Sequence, residues 1–207
     1  MKNQIMYTDK GAEIKTHILE RYLNEDHSKL QLVIEAYIKN KDSVFRPYRR
    51  VGYLSSFFSP RYSFSGIQDK FTNVCSYDYD LKKINELDYV GSPYSYLSLI
   101  RVDSEENNKG IGSALLNLQD YFFAKYCDEN NHVFYNEVHQ PMIRGLFFPD
   151  DIYPRAIVAN FYRKNGFEFV KSKEDLFKTI DVKETLENTD SQIKDLYYKE
   201  RDCSHIL

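Results

Sequence analysis

The sequence contains no tryptophan and is poor in cysteine, glycine and proline. Its three cysteines form no Cys-x-x-Cys pair, so neither a disulfide framework nor a zinc site is indicated. We expect all three thiols to be reduced and no metal site. Glycine and proline do not cluster into a linker, so we predict a single domain over residues 1–207.

Long apolar runs and a strong net charge are also missing. Residues 1–6 lack the apolar core of a signal peptide, and no later run is long enough to span a membrane. We therefore expect a cytoplasmic protein without a membrane partner. The formal net charge of −3 is too small to indicate a polyanionic partner, so nucleic acid is not an expected partner.

Apolar and aromatic residues are plentiful. Hydrophobic residues make up 42% of the chain, and 18 Tyr and 14 Phe can supply core area in place of tryptophan. Apolar residues at helical spacing predict two helices in an N-terminal part at about 12–41. Aromatic residues alternate with basic ones, including Arg49 and Arg50, over residues 44–64. This pattern fits strands beside a pocket or a surface for single-stranded nucleic acid, and a further strand is predicted at 71–80.

A strand, a polar loop and a helix are predicted in succession over residues 96–125. Gly110 and Gly112 open the helix, where they let the backbone approach a ligand and where the first N–H groups have no intrahelical partner. Such a helix start suits a phosphate. A Walker A loop is excluded because no Gly-Lys-Ser/Thr run is present. A dinucleotide fingerprint is excluded because Leu115 stands where a third small residue is needed.

The loop resembles the cofactor motif of the acetyl-CoA-dependent N-acyltransferase (GNAT) superfamily, Gln/Arg-x-x-Gly-x-Gly/Ala between a strand and a helix. Residues 107–112 match it, with Asn107 in place of Gln or Arg. A second motif at 160–167 resembles the superfamily's Phe-Tyr-x-x-x-Gly-Phe run at the end of a later helix, here predicted at 156–164. Both motifs lie in a cofactor core at about 94–182.

The resemblance implies an α/β (α+β) fold with a central mixed, mostly antiparallel sheet. Helices flank this sheet, and a V-shaped splay separates two central strands. The strand predicted at 132–138 would lie beside 96–102 and part from it, and the gap would receive the pantetheine arm. Residues 139–155 fit either a lid over the acceptor or a surface insertion. Residues 167–182 read as a hairpin, and the tail at 183–207 fits either the arm of a homodimer or a surface helix.

The resemblance also implies the activity, an N-acetyltransferase that moves an acetyl group from acetyl-CoA to a primary amine by direct attack in a ternary complex. Tyr162 would be a catalytic group that donates a proton to the departing thiolate. Glu137 would be the catalytic base, with His139 as the second candidate. The residues that would bind the cofactor are Ile100, Arg101, Val102, Asn107, Asn108, Lys109, Gly110, Ile111, Gly112, Ser113 and Tyr162.

Two other functions are compatible with the same motifs. One is a catalytically silent protein that senses acyl-CoA or holds a partner, since Asn107 carries no charge and Ser98 stands where many family members have an acid. The other is a toxin that acetylates aminoacyl-tRNA, which the basic and aromatic stretch at 44–64 would serve. The sequence does not identify the acceptor.

Overall fold

One eight-stranded sheet organises the part of the chain that the computed structural model describes, namely residues 2–23, 25, 29–40, 47–59, 93–130, 141–147, 154–169 and 175–194. The strands lie in the order β1-β2-β3-β4-β5-β6-β8-β7. Their bounds are β1 Lys2–Tyr7, β2 Glu13–Tyr22, β3 Leu30–Lys39, β4 Tyr48–Ser59, β5 Tyr94–Val102, β6 Met142–Leu146, β7 Glu168–Phe169 and β8 Asp175–Thr179. Only β5 and β6 pair in parallel, and the other neighbours are antiparallel.

Strands β1 to β4 form an antiparallel meander, so the prediction of helices over 12–41 is wrong. In β2, Ile14 and Ile18 are buried while Lys15 and His17 between them are not, an alternation that marks a strand. Apolar residues four apart satisfy the helical repeat and the two-residue strand repeat alike. The periodicity therefore left the choice open, and the β-branched composition should have decided it.

Helices α1 (Ile111–Glu129), α2 (Arg155–Lys164) and α3 (Val182–Lys194) pack on this sheet or on one another. The predicted helices after Gly110 and at 156–164 are confirmed. Helix α1 comes very close to β4, because a Cβ at Gly52 would lie 3.1 Å from side-chain atoms of both Ile111 and Leu115. No helix in the described ranges has the length and apolar character needed to cross a membrane.

The C-terminal region follows the predicted order. Strands β7 and β8 pair as the expected hairpin. Helix α3 starts with the Asp181 carboxylate accepting a hydrogen bond from the Glu184 N–H at 2.9 Å, and its Val182 and Leu186 pack against the core. The described part of the tail is thus a helix packed on its own chain.

The parallel partner of β5 is β6, which begins at Met142 inside the segment 139–155 that was expected to be a lid or an insertion. That expectation is wrong for residues 142–146. Arg144 is 6% exposed in the middle of the strand, and this charged residue concealed an otherwise apolar run. The place beside β5 that was predicted for 132–138 is taken at Tyr94–Leu97 by β6, so that placement is wrong there. The segments 71–80 and 132–138 and the lid residues 139–140 and 148–153 lie outside the described residues. The predicted fold class, a mixed and mostly antiparallel sheet with helices on it, is confirmed.

Candidate functional site

The two central strands pair over only a short length. Strands β5 and β6 pair from Tyr94 opposite Met142 to Leu97 opposite Gly145, and β5 then continues to Val102 with β4 as its only partner strand among the described residues. We name the edge of β5 at residues 98–102 that faces away from β4 the gap, and it begins at a β-bulge. Ser55 lies opposite Leu99 and Ser56 opposite Leu97, so Ser98 has no register partner on β4.

Two backbone donors of β5 face this gap. Asp103 donates its N–H to the Val51 carbonyl at 2.9 Å, which continues the ladder in which Val102 lies opposite Gly52. Successive residues of an antiparallel ladder turn their hydrogen-bonding groups to opposite edges. The N–H groups of Val102 and Ile100 therefore point toward the gap, whereas that of Arg101 points to β4.

The predicted phosphate-binding loop connects β5 to α1 and is open to solvent. Asn108 and Gly110 have left-handed backbone conformations, with φ of 65° and 77°, and Gly110 is the N-cap of α1. The N-cap glycine makes no side-chain capping hydrogen bond, and Asn107, Asn108 and Lys109 are exposed. The first N–H groups of α1 are therefore placed to donate hydrogen bonds to an anion.

The charged side chains around the loop are paired with one another. The buried Glu106 carboxylate accepts hydrogen bonds from Arg49 at 2.6 Å and from Lys109 at 2.5 Å. Arg49 also binds Asp103 at 3.3 Å. Lys109, predicted to supply charge to a diphosphate, thus has its ammonium group bound within the loop. Backbone N–H groups are therefore the principal hydrogen-bond donors available to a bound anion.

An acidic side chain that the sequence did not reveal lies against the same helix start. A Cβ at Gly110 would overlap the Oδ1 atom of Asp9 and would come within 3.1 Å of Thr8. Both residues belong to the turn between β1 and β2. The hairpin turn therefore brings a carboxylate beside the N-terminus of α1, although Asp9 and Gly110 are far apart in the sequence.

Helix α2 completes the site at the other side of the loop. A Cβ at Gly112 would be 3.0 Å from the Phe161 ring, so this glycine allows α1 and α2 to touch. Tyr162 packs edge to face against Phe147, which directly follows β6, with ring centroids 6.0 Å apart. Burial raises the pKa of Tyr162 to about 12.

Strand β5 leads into the loop at 107–113, and α2, which carries Tyr162, touches α1 at Gly112. That these residues together form one cofactor site stays a prediction. Glu137 and His139, the two candidates for the base, lie outside the described residues. Arg49, Glu106 and Asp9 were not predicted as part of this site, because their contacts join segments that are distant in sequence.

No family model matches the chain, and no curated protein sequence matches it either. Solved structures do match. A mutant AtaT toxin bound to the C-terminus of the antitoxin AtaR and acetyl-CoA is 9% identical, with a TM-score of 0.46, and the match covers 85% of this chain and 98% of that chain. AtaT complexed with acetyl-methionyl-tRNAfMet is 11% identical, with a TM-score of 0.46 and the same coverage of 85% and 98%. The NatC complex bound to Gag peptide and CoA is 14% identical, with a TM-score of 0.37 and coverage of 72% and 71%. At these identities and TM-scores we draw nothing from the three proteins about what this chain binds or does.

Proposed function

We propose that the protein is an acyl-CoA N-acyltransferase that transfers an acetyl group from acetyl-CoA to a primary amine. The observation that carries this proposal is that the β5–β6 pairing ends at Leu97 and Gly145 while β5 itself runs on to Val102. The N–H groups of Ile100 and Val102 face away from β4, and the loop after β5 leads to the start of α1. A strand edge with backbone donors, followed by an anion-binding helix start, suits a long thioester that carries a diphosphate.

In this proposal the loop at 107–113 holds the diphosphate through the first N–H groups of α1. Lys109 contributes little charge of its own, because the Glu106 carboxylate binds its ammonium group at 2.5 Å. The pantetheine arm lies along β5 in the gap, with backbone contacts from Ile100 to Val102. The thioester then lies near the bulge at Ser98.

The chemistry follows from what the transfer requires. A primary amine has a pKa of about 10 and must lose a proton before it attacks the thioester carbon. Glu137 remains our first candidate for the base and His139 our second. The N–H group of Ile100, the nearer of the two to Ser98, stabilises the oxyanion of the tetrahedral intermediate, while that of Val102 binds the pantetheine arm. As the C–S bond breaks, the Tyr162 hydroxyl donates its proton to the thiolate, and no covalent acyl-enzyme is formed.

The proposal is tested first by calorimetry with coenzyme A and acetyl-CoA, and then by measuring thiol release with a panel of amines. Tyr162→Phe removes the proton donor and should lower kcat by about 10- to 100-fold, with acetyl-CoA binding almost unchanged. Tyr126→Phe, the same change at a buried position of α1, is the matched control. Absence of saturable coenzyme A binding by the wild type would refute the proposal.

A catalytically silent sensor of acyl-CoA is the second candidate function. It is favoured by Asn107, which carries no charge, and by Ser98, which stands where many members of the resembled superfamily have an acid. Saturable acetyl-CoA binding without thiol release on any amine would select this candidate.

An aminoacyl-tRNA acceptor also remains a proposal. Arg49 and Arg50, which suggested it, are both in ion pairs, Arg49 with Glu106 at 2.6 Å and Arg50 with Glu35 at 2.8 Å. Arg50 is the more exposed of the two and is the better probe. Loss of RNA retention in Arg50→Ala would support an RNA acceptor, and no retention by the wild type would exclude it.

A further inference from the structure

A chain of three fully buried polar side chains lies beneath α1. Gln119 of α1, Ser56 of β4 and Ser95 of β5 are each 0% exposed. The Gln119 amide nitrogen is 3.0 Å from Ser56 Oγ and 3.2 Å from Ser95 Oγ. The two hydroxyl oxygens are 2.8 Å apart, and Ser56 donates to the backbone carbonyl of Tyr96 at 2.9 Å.

The number of available hydrogens determines which group is the donor in each of these hydrogen bonds. A serine hydroxyl has one hydrogen, and that of Ser56 is used on the Tyr96 carbonyl. Ser95 must therefore be the donor in the contact between the two hydroxyls. The Gln119 amide supplies its two N–H groups, one to each serine. The hydrogen bonds thus run from Gln119 through the two serines and end at the Tyr96 carbonyl of β5.

The chain ends where the strand pairing is irregular. Ser56 lies opposite Leu97, and the next residue, Ser98, is the bulged one. A bulge interrupts the ladder of hydrogen bonds, and the Ser56 hydroxyl gives β5 an additional donor immediately before that interruption. A shift of pairing by one residue would turn the N–H groups of Ile100 and Val102 away from the gap.

The stability of the fold does not account for Gln119. Its Oε1 atom is buried and has no hydrogen-bond partner among the described residues, which is unfavourable. An apolar side chain of the same size would remove that unpaired acceptor. Ser95 and Ser56 would still satisfy each other and the Tyr96 carbonyl.

We propose that Gln119, acting through Ser56 and Ser95, is a positioning residue that holds the bulge at Ser98 in register and thereby aims the Ile100 N–H group at the thioester. This inference rests on the proposed acyltransferase function. Gln119 thus contributes to stabilisation of the transition state through the position of β5 and without touching the substrate.

The test is Gln119→Met, which keeps the size and removes both donors. We expect kcat to fall about tenfold, because misplaced donors stabilise the oxyanion poorly, while the KM for acetyl-CoA and the melting temperature do not fall. The backbone amides of Leu99 and Arg101, which point to β4, should exchange hydrogen faster than in the wild type. Leu118→Met, a size-conserving change at the neighbouring buried position, should leave all of these values unchanged. Ser56→Ala removes the last donor of the chain and should act in the same direction.

Unchanged exchange at Leu99 and Arg101 in both Gln119→Met and Ser56→Ala would overturn the inference, as would unchanged kcat. A lower melting temperature with normal exchange in this strand would also overturn it, since Gln119 would then be structural only. The two proposals can fail separately. If the wild type binds no coenzyme A, the proposed function is wrong, and the exchange comparison still decides whether Gln119 controls the bulge.

Discussion

Tyr162 shows how a single side chain can serve packing and chemistry together. Its ring contacts Phe147, Phe161 and Phe167, and it is 8% exposed. Desolvation favours the neutral phenol and raises its pKa to about 12. At neutral pH the hydroxyl therefore carries its proton, which is the form that the proposed transfer to a thiolate needs.

The raised pKa predicts a loss of stability in alkali. Because the folded-state pKa of Tyr162 is about 12 and the unfolded value is about 10, the stabilisation is complete below pH 10 and is lost as the pH rises toward 12. The expected loss is on the order of 2–3 kcal/mol. Urea unfolding of the wild type and Tyr162→Phe at several pH values measures it. The free energy of unfolding of the wild type should fall relative to that of Tyr162→Phe as the pH rises. A difference that does not depend on pH would contradict the raised pKa of Tyr162.

Secondary structure was predictable where an element has its own sequence markers. Helix α1 follows a glycine N-cap, and α2 ends in basic residues and an Asn-Gly pair. Strands β2 and β3 were missed because their apolar residues fit two periods. Strand β6 was missed because it is short and contains Arg144. Periodicity separates long elements better than short ones.

The loop of the candidate site was predictable from the sequence, whereas the charged contacts around it were not. The loop at 107–113 has a local pattern, so its position at the start of α1 could be read directly. The pairing of Glu106 with Arg49 joins residues 57 positions apart, and the contact of Asp9 with Gly110 depends on how the β1–β2 hairpin lies on the helix. Such contacts exist only after the sheet has assembled.

The hairpin turn predicts an electrostatic effect on the adjacent helix. Asp9 places a negative charge beside the positive end of the α1 dipole, where it competes with any bound anion. Asp9→Asn should therefore tighten coenzyme A binding by about two- to fivefold at low salt, with a smaller gain at high salt. Calorimetry at two ionic strengths measures this.

Glu129→Gln is the matched control for Asp9→Asn. It removes the same charge from the last residue of α1, at the opposite end of the helix. Coenzyme A binding should then stay within a factor of about two of the wild-type value. Equal tightening in both variants would show that net charge, and not the position of Asp9, is responsible.

The whole molecule joins an antiparallel meander to a C-terminal half, and β5 belongs to both. Strands β1 to β4 continue the sheet on one side of β5, and β6, β8 and β7 continue it on the other. The bulge and the gap lie at this junction. Helix α1 crosses it, since it contacts β3, β4 and β5. The position of α1 on the sheet therefore sets the distance between the anion-binding loop and the gap.

Gly52 is the point where that distance is most sensitive. A Cβ there would lie 3.1 Å from Ile111 and Leu115 and 3.3 Å from Ala36, so Gly52→Ala requires these side chains, and with them the first turn of α1, to shift away from β4. We expect a loss of about 1–3 kcal/mol in the free energy of unfolding, measured with urea. Bound coenzyme A at 100 times its Kd adds about 2.7 kcal/mol to wild-type stability. The variant should gain less at the same concentration, because its displaced loop binds more weakly.

Gly11→Ala, where a Cβ meets nothing within 4 Å but φ is +75°, should lower stability through backbone strain alone and leave the gain from coenzyme A intact. An equal gain in Gly52→Ala would mean that the start of α1 does not hold the ligand.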